Sequence, residues 1–116
     1  MKDFPEFMKH PANKIDISAQ YTKGIEGYIF DGAEGSQMAL WTNSEGGKSV
    51  EHTHDYDEYV VVVDGQYTII VGTMEVPLTA GKEFVITKGT PHSGKFVPGT
   101  RTIHAFGGKR AERAKK

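Results

Sequence analysis

The sequence predicts a single all-β domain, a sandwich or barrel, and three observations support this. Apolar residues occur in short runs, and no long stretch repeats every 3.6 residues as an amphipathic helix would. Glycines and prolines, 14 and 5 in number, recur between these runs. The length of 116 residues fits one domain. Evenly spaced short strands with turn residues between them are typical of this fold class.

The predicted strands follow from the apolar runs and the turns that end them. The clearest is Glu58 to Val63, because it ends at Asp64-Gly65, a pair that tolerates the positive φ of a tight hairpin turn. Gln66 to Val71 is the returning strand. The other predicted strands are Tyr28 to Phe30, Gln37 to Thr42, Met74 to Leu78, Glu83 to Thr87, His92 to Val97 and Arg101 to Phe106.

The two ends of the chain differ in character from the barrel, which we place at residues 24–106. Residues 1–23 are predicted to be an N-terminal arm, with a short strand of its own or one added to a neighbouring subunit. Residues 107–116 form a basic C-terminal tail, with five Lys or Arg residues against Glu112 alone. We interpret the tail as a solvated, frayed terminus. The alternative is a basic arm that contacts an acidic ligand or partner.

Composition excludes several classes of function. The formal net charge of -1 lacks the basic excess of a nucleic-acid-binding protein. The absence of cysteine rules out disulfides, thiolate metal sites and cysteine nucleophiles, so any metal needs nitrogen and oxygen ligands. The first 14 residues contain no apolar stretch long enough for a secretory signal or a membrane span. We therefore expect a cytoplasmic protein with neither nucleic-acid nor membrane partners.

Residues 51–58 concentrate side chains that suit a divalent metal. His52 and His54 are two residues apart, so on a strand both imidazoles face the same side. Glu58 has the same parity and opens the next apolar run. Two imidazoles and a carboxylate are a common ligand set for first-row metals with open coordination positions. Taken alone, the three residues favour a charged surface cluster over a metal site, because His-x-His by itself is a weak signal.

The spacing of these residues resembles the first motif of the cupin superfamily. Every fixed position of that motif is matched, by Gly46, five residues, His52-x-His54, three residues, Glu58, six residues and Gly65. The second motif is matched by Gly81, Gly89 and His92, whereas Thr87 replaces its proline and Phe96 its asparagine. The resemblance covers about residues 36–106, which is most of the chain.

The resemblance implies a double-stranded β-helix, or jelly-roll, cupin barrel. It also implies that one divalent transition metal is held by His52, His54, Glu58 and His92. Iron, manganese, nickel, cobalt and zinc all tolerate three imidazoles and a carboxylate, and this set leaves one or two positions open. Small barrels of the family commonly form homodimers, and the segment Ile15 to Tyr21 could supply a shared strand.

Further pocket residues are proposed from their places on the strands. His104 is the candidate proton-transfer group, with a structural barrel histidine as the alternative. Phe96 shares the parity of His92 and either walls the pocket or fills the core. The other candidate ligand contacts are Trp41, Tyr28, Met38 and, for a carboxylate, Arg101, each with core packing or a surface position as the alternative.

These residues predict a metal-dependent enzyme that acts on a small organic molecule. The resemblance implies chemistry of the oxygenase, isomerase or lyase type, and the residues do not distinguish among these. The alternative is a non-catalytic module that binds or senses a small molecule or sugar. Nucleotide binding through a phosphate-cradling loop is not supported, because no glycine-rich loop precedes a helix.

Overall fold

The computed structural model describes residues 3–16 and 24–113, and it consists mainly of β-strands. The strands are β1 (Ile25–Asp31), β2 (Gln37–Asn43), β3 (Gly47–Lys48), β4 (Glu58–Asp64), β5 (Gln66–Val71), β6 (Met74–Thr79), β7 (Glu83–Ile86), β8 (Ser93–Phe96) and β9 (Thr100–Phe106). Short 3-10 turns occupy Glu6–Met8, Pro11–Asn13 and Ala33–Gly35. In the described part of the chain, no helix is long and apolar enough to cross a membrane. The all-β prediction is confirmed.

Two antiparallel sheets pack against each other as a jelly roll. One sheet has the strand order β1-β2-β9-β4-β7 and the other the order β3-β8-β5-β6. The chain alternates between the sheets, so that β9 lies between β2 and β4 although it is last in sequence. A buried cluster joins the two sheets, with Val60 and Val62 from one and Ile69 and Leu78 from the other. The predicted jelly-roll architecture is confirmed.

The hairpin predicted at Asp64-Gly65 joins β4 to β5, and Gly65 has a φ of 81°. Two local details differ from the prediction. Strand β3 is not among the predicted strands, because a two-residue Gly-Lys strand has no alternation to detect. His92 precedes β8 and instead forms an isolated bridge with His52. This bridge brings together two segments that are far apart in sequence.

Residues 107–113 pack along the barrel, which corrects the interpretation of this part of the tail as a frayed terminus. The buried side chain of Gln37 holds the segment: its Oε1 accepts from the backbone N–H groups of Arg110 (2.6 Å) and Ala111 (3.1 Å). The Gln37 amide nitrogen donates to the Ala111 carbonyl (3.1 Å). Ala111 is buried in one cluster with Trp41 and Phe106. The tail is therefore part of the folded domain as far as residue 113.

The described end of the N-terminal arm pairs with its own chain. The backbone N–H of Ile15 donates to the Gly27 carbonyl (2.8 Å), and that of Asp16 donates to the Glu112 carbonyl (2.8 Å). Ile15 is buried in the cluster around Trp41. The rest of the segment predicted to supply a shared strand, residues 17–21, lies outside the described residues.

We expect Gln37→Ala to release the C-terminal segment from the barrel. The change leaves buried backbone groups of Arg110 and Ala111 without partners, which costs about 1–3 kcal/mol. Hydrogen exchange at these two amides should accelerate at least about fivefold, which corresponds to the lower end of that range. Ser36→Ala is the control, because it removes an exposed hydroxyl from the preceding residue. Unchanged exchange in Gln37→Ala would contradict the assigned role.

Candidate metal centre

Three histidines converge at one end of the barrel. The backbones of His52 and His92 are fixed to each other by two hydrogen bonds, of 2.9 Å and 3.0 Å, in which each N–H donates to the other residue's carbonyl. His54 is two residues further on, and the three pairs of ring centroids are 4.4–5.3 Å apart. One ring nitrogen of each histidine lies within 4.8 Å of the others. This spacing suits a shared metal ion.

Glu58 completes the cluster from the first position of β4. It is 5% exposed, and its Oε1 lies 3.3 Å from His54 Nε2 and 3.6 Å from His92 Nε2. The inward parity predicted for Glu58 places it beside the two imidazoles. Two histidine rings and one carboxylate oxygen therefore point at the same small volume, next to the third ring.

Hydrogen bonds to the backbone set which ring nitrogen faces the centre. His52 Nδ1 is 2.7 Å from the Val50 carbonyl, and His92 Nδ1 is 2.9 Å from the Thr90 carbonyl. Because a carbonyl oxygen only accepts, both Nδ1 atoms must carry hydrogen. In the neutral rings each Nε2 then holds a lone pair, as metal coordination requires.

The buried atoms at the centre fit a cation. His54 Nε2, His92 Nε2 and Glu58 Oε1 are all buried and have no hydrogen-bond partner among the described residues. In the neutral His92 ring the Nε2 lone pair faces the Glu58 carboxylate, an arrangement that is costly unless a positive charge lies between them. Nitrogen and carboxylate donors in this ratio are those of first-row divalent metals. The donor set therefore suits a divalent metal ion.

The electrostatics of the cluster keep Glu58 and His52 in the forms that coordination requires. Burial raises the pKa of Glu58, but the hydrogen bond from His104 and the adjacent imidazoles of His54 and His92 outweigh burial and hold that pKa far below its usual range. Burial lowers the pKa of His52 to about 4. Burial also acts to lower the pKa of His92, but the adjacent Glu58 carboxylate outweighs it and the net shift is upward. Glu58 is thus ionised and His52 neutral at physiological pH.

His104 holds the second oxygen of Glu58. Its Nδ1 donates to Glu58 Oε2 (2.8 Å), and in the neutral ring its Nε2 accepts from the Thr102 hydroxyl (2.9 Å). His104 and Thr102 are both buried and share the inward face of β9. The arrangement fixes the carboxylate so that Oε1 faces the histidines, in the manner of residues that orient metal ligands.

A cavity inside the barrel adjoins the cluster. Its volume is about 70 Å³, and its walls are partly aromatic. Trp41, Phe96 and Phe106 line it together with Tyr67, whose pKa burial raises well above the usual value. The surface of the cavity is therefore mixed apolar and polar.

Arg110 introduces a positive charge at the edge of this cavity. Its guanidinium carbon lies 5.9 Å from the Trp41 ring centroid and 6.0 Å from that of Phe106. The two rings orient the guanidinium by cation–π contact. Arg110 also borders an outer groove, together with His54 and Tyr56. Tyr56 itself stacks on the His54 ring at 4.7 Å. The positively charged Arg110 side chain therefore lies between the solvent and the metal cluster.

The structure corrects three of the predicted pocket contacts. Tyr28 and Met38 occupy outward positions of β1 and β2, so neither lines the cavity. Arg101 is also outward, and it is bound to Asp64 at 3.0 Å instead of being available for a ligand carboxylate. The predicted contacts Phe96 and Trp41 do line the cavity, as does His104.

Residues that the sequence analysis did not select also border the cavity. Arg110 is the most consequential, since its only signal was membership in a basic tail. Tyr67 is the second residue of β5, and the sequence gave no signal for it beyond strand parity. The stacking of Tyr56 on His54 is a contact that a linear pattern does not show.

Solved structures with the same architecture are found in several organisms. KdgF from Halomonas sp. superposes with a TM-score of 0.73 at 21% identity, covering 89% of this chain and 92% of that one. An RmlC-like cupin from Shewanella frigidimarina gives 0.69 at 20% identity, with 82% of each chain covered. The polyketide cyclase RemF from Streptomyces resistomycificus gives 0.67 at 18% identity, covering 91% and 80%. At these identities the likeness establishes the fold.

The family is established by a different comparison. No curated protein sequence gives a significant match to the chain. The family model described as the cupin domain matches residues 39–105, which is more than half of the chain and includes all four predicted ligands. The chain therefore belongs to the cupin domain family.

Proposed function

We propose that this cupin is a metal-dependent enzyme that acts on a small organic acid. The observation that carries the proposal is the convergence of His54 Nε2, His92 Nε2 and Glu58 Oε1 beside a cavity that Arg110 borders. The three atoms are buried, and no residue in the described ranges forms a hydrogen bond with them. With His52, these residues would hold one divalent transition metal: iron, manganese, nickel, cobalt or zinc.

The residues around the cluster have separable roles in this proposal. When bound, the metal acts as a Lewis acid toward an oxygen atom of the substrate. Arg110 pairs with the substrate carboxylate, because its planar guanidinium matches a carboxylate in two parallel hydrogen bonds. Trp41 and Phe106 orient the guanidinium and exclude water from that ion pair. An acid with an oxygen on the neighbouring carbon would satisfy the guanidinium and the metal together.

From the sequence, His104 is predicted to transfer a proton. Its hydrogen bonds instead favour a role in which it positions Glu58. Both ring nitrogens are engaged, one by Glu58 and the other by Thr102. A general base needs a free lone pair directed at the substrate, and in this arrangement the Nε2 lone pair of the neutral ring accepts the Thr102 hydroxyl. We assign His104 the task of holding Glu58 in its ligating orientation.

The reaction type that fits is oxygenase, isomerase or lyase chemistry on a hydroxy or oxo acid. These classes can all use a metal with an open position that binds a substrate oxygen. The alternative function is a module that binds the same acid without converting it. This module would have the same site as the enzyme but would show no turnover. The neighbouring folds include KdgF and a polyketide cyclase, which is compatible with catalysis on this architecture.

We expect acids, and not their neutral analogues, to stabilise the metal-loaded protein. The test measures thermal shift and substrate consumption by NMR with glucuronate, gluconate, lactate and 2-oxoglutarate, against glucose and glycerol. Arg110→Gln should weaken acid binding by about 10- to 150-fold, since a hydrogen bond to a charged group contributes about 1.5–3 kcal/mol. Arg110→Lys should retain part of the affinity.

Arg113→Gln is the matched control, because Arg113 lies on the same segment but pairs with Asp31 on the surface. Acid binding that survives Arg110→Gln unchanged would contradict the role of Arg110. Acid binding without consumption of any acid in the panel would support the binding module over the enzyme.

A further inference from the structure

The cavity extends from the metal cluster to a polar end on the same strands. The register places Asn43 of β2 opposite Thr100 of β9, and both residues line the cavity. Glu58 is opposite Phe106, the last residue of β9, whereas Thr100 is the first. Asn43 therefore lies at the end of the cavity away from the metal cluster, and a ligand group beside it is separate from the metal site.

Hydrogen bonds fix the orientation of the Asn43 side chain. Its Oδ1 accepts from the Gly46 backbone N–H (2.8 Å), so the other branch of the amide is the nitrogen Nδ2. The Asn43 backbone carbonyl accepts from the Gly99 N–H (2.7 Å). These two bonds attach Asn43 to the turn after β2 and to the turn before β9, and they hold Nδ2 in one position.

Asn43 Nδ2 is a buried donor without a partner. Asn43 is 4% exposed, and no residue in the part of the chain that the structure describes accepts a hydrogen bond from Nδ2. A buried donor left unpaired is costly, so native proteins rarely keep one that neither a ligand nor a water satisfies. Because Asn43 lines the cavity, an acceptor inside the cavity can supply the missing partner.

Thr102 offers an acceptor on the same wall. It is the diagonal neighbour of Asn43 in the register, and such pairs have Cα atoms about 7–8 Å apart, with the side chains closer. The Thr102 hydroxyl donates its one hydrogen to His104 Nε2 (2.9 Å) in the neutral ring, so its oxygen presents only lone pairs to the cavity. A ligand hydroxyl can accept from Asn43 and donate to Thr102, whereas a carbonyl oxygen can only accept.

The size of the cavity limits the group that enters this end. A cavity of about 150 Å³ holds benzene, so a volume of about 70 Å³ admits a group of roughly three heavy atoms. Trp41 and Phe96 provide apolar walls for the carbon atoms of such a group. An ionised group is disfavoured here, because Thr100 and Thr102 carry no charge to pair with it. The remainder of a larger ligand would lie toward Arg110, which borders both the cavity and the outer groove.

We propose that Asn43 and Thr102 form a subsite for an uncharged hydroxyl group at the end of the ligand. Asn43 Nδ2 donates to the hydroxyl oxygen, and the hydroxyl donates to Thr102 Oγ1. The subsite does not depend on the metal, but its link to an acid rests on the proposed function. The acid would then be held by the metal and Arg110 at one end and by this subsite at the other. Asn43 would select acids with a hydroxyl at the far end over acids that lack it.

The first test follows the NMR resonances of the Asn43 side-chain amide while ethanol is added to the full chain. Ethanol carries a hydroxyl on a small carbon group, so it matches the group that the cavity admits. It should shift the Asn43 amide resonances and leave those of Asn13 in place, because the Asn13 side chain forms an exposed hydrogen bond with Arg113. This measurement needs neither metal nor acid.

The second test compares the affinity of the metal-loaded protein for three acids that differ only at one carbon. They are 2-hydroxyhexanoate, 2,5-dihydroxyhexanoate and 2-hydroxy-5-oxohexanoate. Calorimetry should show that the 5-hydroxy and 5-oxo acids bind at least about fivefold more tightly than 2-hydroxyhexanoate, because their additional oxygen pairs the buried donor. The 5-hydroxy acid should bind most tightly, since it alone also donates to Thr102.

Asn43→Asp separates the donor from the turn. The aspartate retains an oxygen for the Gly46 N–H but loses both hydrogens of Nδ2, so the 5-oxo acid should lose its advantage over 2-hydroxyhexanoate. Asn13→Asp is the matched control, because it makes the same change in charge at an exposed hydrogen bond, and it should leave the order of the three acids unchanged. If Asn43→Asp does not fold, the two measurements on the wild type decide alone.

The outcomes distinguish the subsite from the proposed function. A shift of the Asn43 amide by ethanol without binding of any acid would retain the subsite and contradict the proposed function. An Asn43 amide that ethanol does not shift would overturn the subsite and show that this end of the cavity holds an ordered water only. Equal affinity of the wild type for the three acids would also overturn the inference.

Discussion

His92→Ala should abolish stoichiometric binding of a divalent metal. The His92 imidazole is 2% exposed, and within the described part of the chain its Nε2 has no hydrogen-bond partner, so it is available to a metal ion. Loss of a residue that only orients a metal ligand costs about 10- to 100-fold in affinity. Loss of the ligand itself should therefore cost at least about 100-fold. The measurement is competition with a chelator, followed by metal analysis of the protein.

The fold should survive this substitution. The two hydrogen bonds between residues 52 and 92 are made by the backbone, so an alanine at position 92 retains them. The matched control is His10→Ala, because His10 is exposed and lies in the N-terminal arm away from the cluster. Equal metal content in His92→Ala and the wild type would remove His92 from the ligand set. Equal losses in both variants would show that binding is not specific to the cluster.

Much of the fold and the metal cluster was predictable because both depend on short-range patterns. The alternation around Glu58 and the Asp-Gly turn are local, and local patterns determine strands and hairpins. The convergence of His52 with His92 is different, since the residues are 40 positions apart and meet through an isolated bridge. Here the motif spacing of the family, and not periodicity, supplied the prediction.

The errors in the pocket have a physical explanation in strand parity. Residues an odd number of positions apart on a regular strand face opposite sides. His104 and Arg101 are three apart on β9, and Trp41 and Met38 are three apart on β2, so neither pair could share the cavity. Because both faces of this sheet are apolar, hydrophobicity did not indicate which member of each pair pointed inward.

The position of Arg110 depended on contacts that no local pattern contains. Its segment is fixed by the buried amide of Gln37, whose partners are more than 70 residues away in sequence. From its composition alone, the segment was predicted to be a basic tail. The structure instead makes this arginine part of the wall between the outer groove and the cavity. A basic terminus that begins with Gly107-Gly108 and contains an apolar residue thus packs onto the barrel.

Metal affinity should fall at least about tenfold for each pH unit below the pKa of His92. Coordination requires the neutral imidazole, so below this pKa the metal must displace one proton from His92. Displacement of one proton lowers the metal affinity about tenfold for each unit by which the pH falls. The net effect of burial and the Glu58 carboxylate raises the pKa of His92 above 6.5. The pKa of His52 is lowered to about 4, so His52 stays neutral throughout this window. The decline should begin at a pH above 6.5, the ordinary pKa of histidine, and chelator competition from about pH 5 to 8 measures it.

Protonation of His92 should stabilise the folded, metal-free protein, whereas it weakens metal binding. Because the folded pKa of His92 is raised, its pairing with Glu58 contributes stability below the unfolded pKa and loses it as pH rises through the folded pKa. The metal and the proton thus compete for His92 Nε2. As pH rises, the thermal stability of the metal-free form should fall relative to that of the metal-loaded form. Glu58→Gln removes the charge that raises the His92 pKa, and it should move the onset of the affinity loss to lower pH. An onset that does not move would mean that the Glu58 carboxylate does not control the protonation of His92.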